Sequence, residues 1–467
     1  MSEIKPPPEI GTAHPRAVDK LIRPFKRFTE VEGAGGIILL ICTAAALFWA
    51  NVIGAESYEH FWHTPITVQL GDFVMTNSLV HWIDDGLMAI FFFLVGLEIK
   101  REVLVGELAS IKKSALPLMA ALGGMIFPAL IYTLFNGTEG EAARGWGIPM
   151  ATDIAFALGV LALLGKRIPP SLVVFLAALA IADDIGAVLV IAIFYTSKLS
   201  LAYLLIGLGA FVVAVIANVM GARNPITYGI IGAITWLAFL KSGVHATIAG
   251  VLVAMAVPAK QRINLRRFID FGQYLLDRLK RVKNIETSAF STHEQMEIMQ
   301  TLENSVEHVM TPLQRYEHGL QNWVAYLIMP VFALANAGVA VGGRLLEDIT
   351  SPIGLGIICG LVLGKQIGIT FFSWISVKLG FAALPSGVKW KHIYGVAWLG
   401  GIGFTMSLFV ANLAFGGSPL GEESKIGILT ASIIAGTIGF IILKRMTAPG
   451  KGESVEGEES QPATGSA

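Results

Sequence analysis

Apolar residues fill the chain in runs of about twenty, separated by short polar segments. That is the length an α-helix needs to cross the hydrocarbon core of a bilayer. About twelve spans are predicted, at roughly 33–52, 79–99, 115–135, 145–164, 171–195, 201–220, 225–240, 243–258, 321–341, 353–377, 393–414 and 424–444. The runs at 225–240 and 243–258 are divided only by Lys241, Ser242 and Gly243, which predicts a tight hairpin. The fold class is therefore an all-α polytopic membrane protein. Segment 51–77 lacks Lys and Arg and alternates in the stretch ITVQLGDFVM, which predicts a small β-hairpin. A polar insertion occupies about 260–320. In it Thr292 and Gln295 have capping-box spacing. Met296, Met299, Leu302, Val306 and Val309 then recur at helical spacing. An amphipathic helix is expected there, paired with Leu265–Val282. The polar ends, 1–24 and 447–467, read as disordered tails. They flank one transmembrane domain over 25–446.

Charge orients these spans. Lys20, Arg23, Lys26 and Arg27 precede the first span, and Lys100, Arg101, Lys112 and Lys113 follow the second. Lys166 and Arg167, Arg223, then Lys260, Arg262, Arg266 and Arg267 mark later loops of the same side. Lys378, Lys389, Lys391, Lys444 and Arg445 continue the series. The intervening loops hold at most one Lys or Arg. Both termini are thus expected in the cytoplasm and the β-hairpin in the periplasm. Composition agrees: 54% of the 467 residues are hydrophobic and 15% charged. The formal net charge is zero, so nothing suggests a nucleic-acid partner. The two cysteines, Cys42 and Cys359, lie in apolar runs and read as small hydrophobes, not a disulfide or metal site. No cleavable signal peptide is expected.

Polar residues inside the apolar runs carry the chemistry. Asp183 and Asp184 lie at the centre of LAALAIADDIGAVLV. A charge at mid-bilayer costs roughly 2.5–3.5 kcal/mol on insertion scales. A pair at a headgroup-level helix end is the bland alternative, and its central place in the run argues against that. Adjacent helical residues point about 100° apart, so the two cannot face one small ion symmetrically. One binds a cation while the other meets a different partner. Pro149 and the Ala151-Thr152-Asp153 break interrupt span four, and Gly400, Gly401 and Gly403 weaken span eleven. Unwound centres leave free carbonyls and half-helix ends that suit a small cation. Interruptions in corresponding positions point to inverted repeats, spans three to five and ten to twelve. Lys365 lies near the middle of span ten and needs an anionic partner, either aspartate or a half-helix end. His245 reads first as a structural histidine, with a pH role second. Asp84 and Asp85 open span two, where Asp85 lines a funnel or caps the helix. Glu98, Lys100, Arg101 and Glu102 close that span; with Glu317 and His318 they form either a titrating mouth or a solvated helix end.

The strings FFFLVGLEIKRE, ATDIAFALGVLALLG, ALAIADDIGAV, KSGVHATIAGV, WVAYLIMPVFALANAGV, GKQIGI and GIGFTMSLF closely resemble the NhaA Na⁺/H⁺ antiporters of bacterial inner membranes, in matching order from about Phe25 to Arg445. The resemblance implies twelve helices, inverted repeats and two crossing broken helices. It implies electrogenic export of Na⁺ or Li⁺ against external H⁺, activated at alkaline pH, and a homodimer held partly by the hairpin. It implies no resident cofactor. By motif, Asp184 and Asp183 are the cation and proton carboxylates, with Asp184 the direct ligand. Thr152 and Asp153 mark the first crossing and Lys365 the neighbouring lysine. Asp85 matches the acid of the cytoplasmic funnel, Glu98, Arg101, Glu102, Glu317 and His318 the pH-response region, and His245 the pH-profile histidine. The chain departs from shorter members in its 260–312 insertion and in Gln321, where they carry a histidine.

Two other classes fit less well. An intramembrane aspartyl protease or prenyl transferase lacks support: no span holds GxGD, and DDIGA lacks the third carboxylate of a DDxxD motif. A carrier for an organic anion is disfavoured by two acids beside one lysine. The chain reads as a secondary transporter and not an enzyme.

Overall fold

The computed structural model describes residues 34–446 except 72, 197–198, 261–264, 282–292, 341 and 343–344. The expected tails, the head of span one and the capping residue Thr292 lie outside these residues. Helix α1, Ala34–Phe48, ends in a widened turn at Trp49–Ile53. Next come helix α2, Ala55–Trp62, and strands β1, Pro65–Leu70, and β2, Phe73–Ser78. The strands pair antiparallel from Pro65↔Ser78 to Leu70↔Phe73, so the predicted hairpin is present. Gly71 (φ 62) sits in its tight turn, where a side chain would be strained. The 51–77 segment is nevertheless half helical. Tyr58 and Trp62, one turn apart on α2, are buried and pack their rings on Trp49.

Helix α3, Leu79–Trp82, passes through a widened turn at Ile83–Leu87 into α4, Met88–Val105. Then come α5, Ile111–Asn136, a 3₁₀ stretch at Ala142–Met150, α6, Ile154–Ala162, and α7, Pro170–Phe194. Helices α8, Leu201–Val219, α9, Pro225–Ser242, and α10, Thr247–Ala256, complete the first half. The turn between α9 and α10 is made by Gly243 in the left-handed conformation (φ 84). The insertion supplies α11, Leu265–Arg281, and α12, His293–Val309. Helix α13, Pro312–Trp323, begins with a Thr311/Gln314 capping box and continues through another widened turn into α14, Met329–Asn336. After α15, Leu345–Thr350, come α16, Pro352–Cys359, and α17, Lys365–Lys378, joined by a widened turn at Gly360–Gly364. Helices α18, Trp390–Gly400, α19, Phe404–Phe415, and α20, Pro419–Met446, close the chain.

Every predicted span is helical over most of its length. Seven helical stretches among the described residues are long and apolar enough to cross a bilayer, and α18 with α19, bent by 43° at their break, makes an eighth. Helix α8 leaves Leu201, Leu205, Val212, Val213 and Val219 exposed, an apolar surface suited to a membrane. This is a multi-pass membrane protein.

Glycines set the central packing. Gly360, Gly364 and Gly368 recur every fourth residue from the turn into α17. A Cβ on Gly360 would meet Pro149, one on Gly364 would meet Pro128, and one on Gly368 would strike the carbonyl of Gly123. The backbone of this segment therefore lies directly on α5 and on the 3₁₀ stretch, as small residues permit between membrane helices.

Candidate functional site

The two predicted interruptions meet. After the 3₁₀ stretch, residues 151–153 run extended before α6 begins, and residues 401–403 separate α18 from α19. The Asp153 amide donates to the Ile402 carbonyl at 2.7 Å, and Thr152 Oγ1 donates to the Gly400 carbonyl at 2.8 Å. Backbone groups freed by one break are satisfied by the other. Asp153 does more. Its Oδ1 accepts from the Phe156 amide at 2.9 Å, capping α6. Its Oδ2 accepts from the Thr405 amide at 3.1 Å and from the Thr405 hydroxyl, holding the start of α19. One carboxylate thus faces the positive ends of two half-helices. Gly401 and Gly403 keep negative φ, so their role is space: side chains there would meet the Leu361 and Ala151 carbonyls.

Asp183 and Asp184 sit midway along α7 and are buried, at 1% and 2% exposure. Lys365, at the head of α17, is buried equally (1%). Its Nζ is ion-paired to Asp183 Oδ2 and donates to Thr152 Oγ1 at 2.9 Å. The lysine therefore pairs with Asp183, a choice the sequence left open. Asp183 Oδ1 and Asp184 Oδ1 are buried with no hydrogen-bond partner among the described residues. Buried carboxylate oxygens in that condition are costly. They are also the hard oxygen donors that small cations prefer. Among the described residues, no group of three or more His, Cys, Asp or Glu side chains is placed to hold a metal ion.

The family described as Na⁺/H⁺ antiporter 1 matches residues 26–443. The Na⁺/H⁺ antiporter NhaA of Koribacter versatilis is 51% identical over 436 residues, spanning 93% of this chain and 94% of its own. That of Oleidesulfovibrio alaskensis is 49% identical over 436 residues, spanning 93% and 97%. NhaA 2 of Syntrophotalea carbinolica is 48% identical over 429 residues, spanning 92% and 98%. The chain belongs to the NhaA antiporter family. It is a transporter of that family and not an enzyme.

Within this NhaA-family chain the remaining predicted residues fall into separate groups. Arg101 bonds Glu102 at 3.0 Å and pairs with Glu317, while Glu102 Oε2 accepts from the Glu107 amide at 3.0 Å. Glu98 lies close enough to feel the charges of Glu317, Arg101 and Glu102. His318 is exposed beside them. Burial pushes the Glu317 carboxyl up, and the Arg101 guanidinium opposes that shift. Asp85 does not join this group. It lies in the widened turn next to the β-hairpin, where its carbonyl accepts from Trp236 Nε1 at 2.8 Å. Sixteen residues of helix, about 24 Å of rise, separate it from Arg101. Asp85 and the Arg101 group therefore lie at opposite ends of this helical segment. The His245 ring lies 6.2 Å from that of Phe409, edge to face.

Two parts of the arrangement escaped the sequence reading. Thr405 was visible only as one residue of a glycine-rich string. Asp84 accepts from Asn336 Nδ2 at 2.9 Å and from Asn412 Nδ2 at 3.2 Å, and Asn412 also donates to Asn336 Oδ1 at 2.6 Å. This links three helices near the hairpin end of α4. Its signal was present: each member is a polar residue inside an apolar run.

Proposed function

We propose that this protein exchanges cytoplasmic Na⁺ or Li⁺ for external H⁺ at Asp183 and Asp184, by alternating access across a bacterial inner membrane. The supporting observation is the pair of buried, unpartnered carboxylate oxygens beside two facing helix breaks, with Lys365 on one aspartate. A dehydrated Na⁺ needs several oxygens; Asp184 Oδ1, Asp183 Oδ1 and Thr152 Oγ1 are the nearest candidates. Protons and Na⁺ compete for the same carboxylates, and a site emptied of both carries uncompensated charge. Such a site does not reorient across the bilayer, so the two fluxes are coupled. The exchange is electrogenic in that more protons enter, held by the two carboxylates, than Na⁺ ions leave. Lys365 leaves Asp183 when the cation arrives. Asp153 stays on the half-helix ends, and no resident cofactor takes part.

The same reading takes the fold further. Twelve spans, related as inverted repeats three to five and ten to twelve, surround the site. Its broken members lie in corresponding positions, at 151–153 and 401–403. Positive loops keep both termini in the cytoplasm. The Glu98, Arg101, Glu102, Glu317 and His318 group senses pH at the cytoplasmic mouth, and His245 shapes the profile. The β-hairpin joins two copies in a homodimer. In everted vesicles, adding Na⁺ should collapse a pre-formed pH gradient, whereas K⁺ or a bile-acid-like anion should not. Asp184→Asn should abolish the response. Retained exchange in both Asp183→Asn and Asp184→Asn would refute the site.

A further inference from the structure

The insertion forms two helices, α11 and α12, packed on each other, with Leu275 and Ile298 buried and Arg278 reaching Glu294 at 3.4 Å. Their charges are segregated. Helix α11 carries Arg266, Arg267, Arg278, Lys280 and Arg281 against two aspartates, whereas α12 carries glutamates and no Lys or Arg. Along α11, Arg267, Phe271, Tyr274, Arg278 and Arg281 follow a four-three-four-three spacing, which places them on one helical face. All five are exposed. The Phe271 and Tyr274 rings stack, centroids 6.4 Å apart. The buried side of α11, with Leu275, is spent on the insertion itself and borders the stripe at Phe271 and at Arg278, which already reaches Glu294, while Arg267, Tyr274 and Arg281 lie farther round the helix.

The insertion is rooted where the chain leaves the bilayer. The Leu313 amide, at the start of α13, donates to the Pro258 carbonyl, just past α10, at 3.2 Å. Lys100 Nζ donates to the Met255 carbonyl at 2.7 Å and also to that of Val257. Helix α11 begins nine positions after α10 ends, within roughly 30 Å of that exit.

We propose that α11 lies on the membrane surface, with the Arg267–Phe271–Tyr274–Arg278–Arg281 stripe seated among anionic phospholipid headgroups. Guanidinium groups bind phosphate oxygens in bidentate fashion. Aromatic rings settle at headgroup depth. The acidic helix α12 faces water, away from a negative surface. The proposal rests on the membrane reading alone and not on ion exchange. Each arginine removed should weaken lipid contact roughly fivefold.

The full-length protein is placed in nanodiscs of phosphatidylcholine alone or mixed with phosphatidylglycerol. Trypsin should cut after Arg267 and Arg281 in the neutral lipid and be slowed in the anionic one. High salt should restore cutting, because headgroup attraction is screened. In a second readout, Tyr274→Cys in a Cys42→Ala, Cys359→Ala chain carries a polarity-sensitive dye. Its emission should shift to the blue and be quenched by brominated acyl chains only in anionic nanodiscs, and Arg267→Gln with Arg281→Gln should reverse both. Equal cleavage and emission in the two lipids overturns the proposal. So does protection that persists in detergent, which would mean that protein covers the stripe. Na⁺-driven exchange in the same preparations is scored separately, so failure of either reading is distinguishable.

Discussion

Removing the Lys365 ammonium should destabilise the protein far more than removing the whole ion pair. Both side chains are almost fully inaccessible, at 1% and 2% exposure, so neither charge has water to fall back on. In Lys365→Met the Asp183 carboxylate loses its counter-ion, and Thr152 Oγ1 loses the donor now at 2.9 Å. Breaking a buried pair from one side costs about 3–5 kcal/mol. With an unfolding entropy of about 2 cal/mol/K per residue, taken from globular domains, a loss of about 4 kcal/mol over a chain of 467 residues lowers the midpoint by roughly 4 °C. The double variant Asp183→Asn, Lys365→Met replaces the pair with neutral groups of similar volume and should melt within about a degree of the parent, since such replacements are often neutral. Fluorescence-detected size exclusion after heating reads all four members of the cycle. The coupling between the two positions should exceed about 1 kcal/mol. If Lys365→Met melts with the double variant, the two charges do not stabilise one another and the pairing has no energetic content.

Three further outcomes follow from other contacts. Asn412→Ala deprives Asp84 and Asn336 of a shared donor and should cost about 1–3 kcal/mol, seen as a lower melting temperature that Asp84→Asn partly restores. Thr405→Val removes the hydroxyl on Asp153 but keeps the backbone amide; a loss of about 1.5–3 kcal/mol is expected for a bond to a charged group, and an unchanged midpoint would count against the two-helix cap. Glu317 has a raised pKa, because burial outweighs Arg101. Its contribution is full below the unfolded pKa and is lost as pH rises through the folded one. Melting curves of Glu317→Gln against the parent should therefore shift in the variant's favour as pH rises from the acidic side through that window, and a constant offset would show that Glu317 does not titrate there.

The helices and the hairpin were legible because runs of twenty apolar residues and a strict alternation each have one structural meaning. The breaks were legible too: Pro149, Thr152 and Asp153, and the glycines near Gly401, are residues that helices do not tolerate cheaply. What sat across from each residue was not. Asp183 and Asp184 are neighbours in sequence, and only the register of α7 against α17 decides which of them meets Lys365. The Asp153 cap on α19 depends on Thr405, far along the chain. Helix α2 was hidden because AESYEHFW is polar by composition; its helix is paid for by two rings packed on Trp49.

The glycine ladder of α17 acts as a keyway. With Gly360, Gly364 and Gly368 seated on Pro149, Pro128 and Gly123, this helix can neither swivel nor slide without dragging α5 and the first break along. The Lys365 backbone at its head is therefore bolted to the same chassis as Thr152. On the proposed exchange, the choice between lysine and sodium is left to the swing of a single four-carbon arm, whatever larger motion carries the site across.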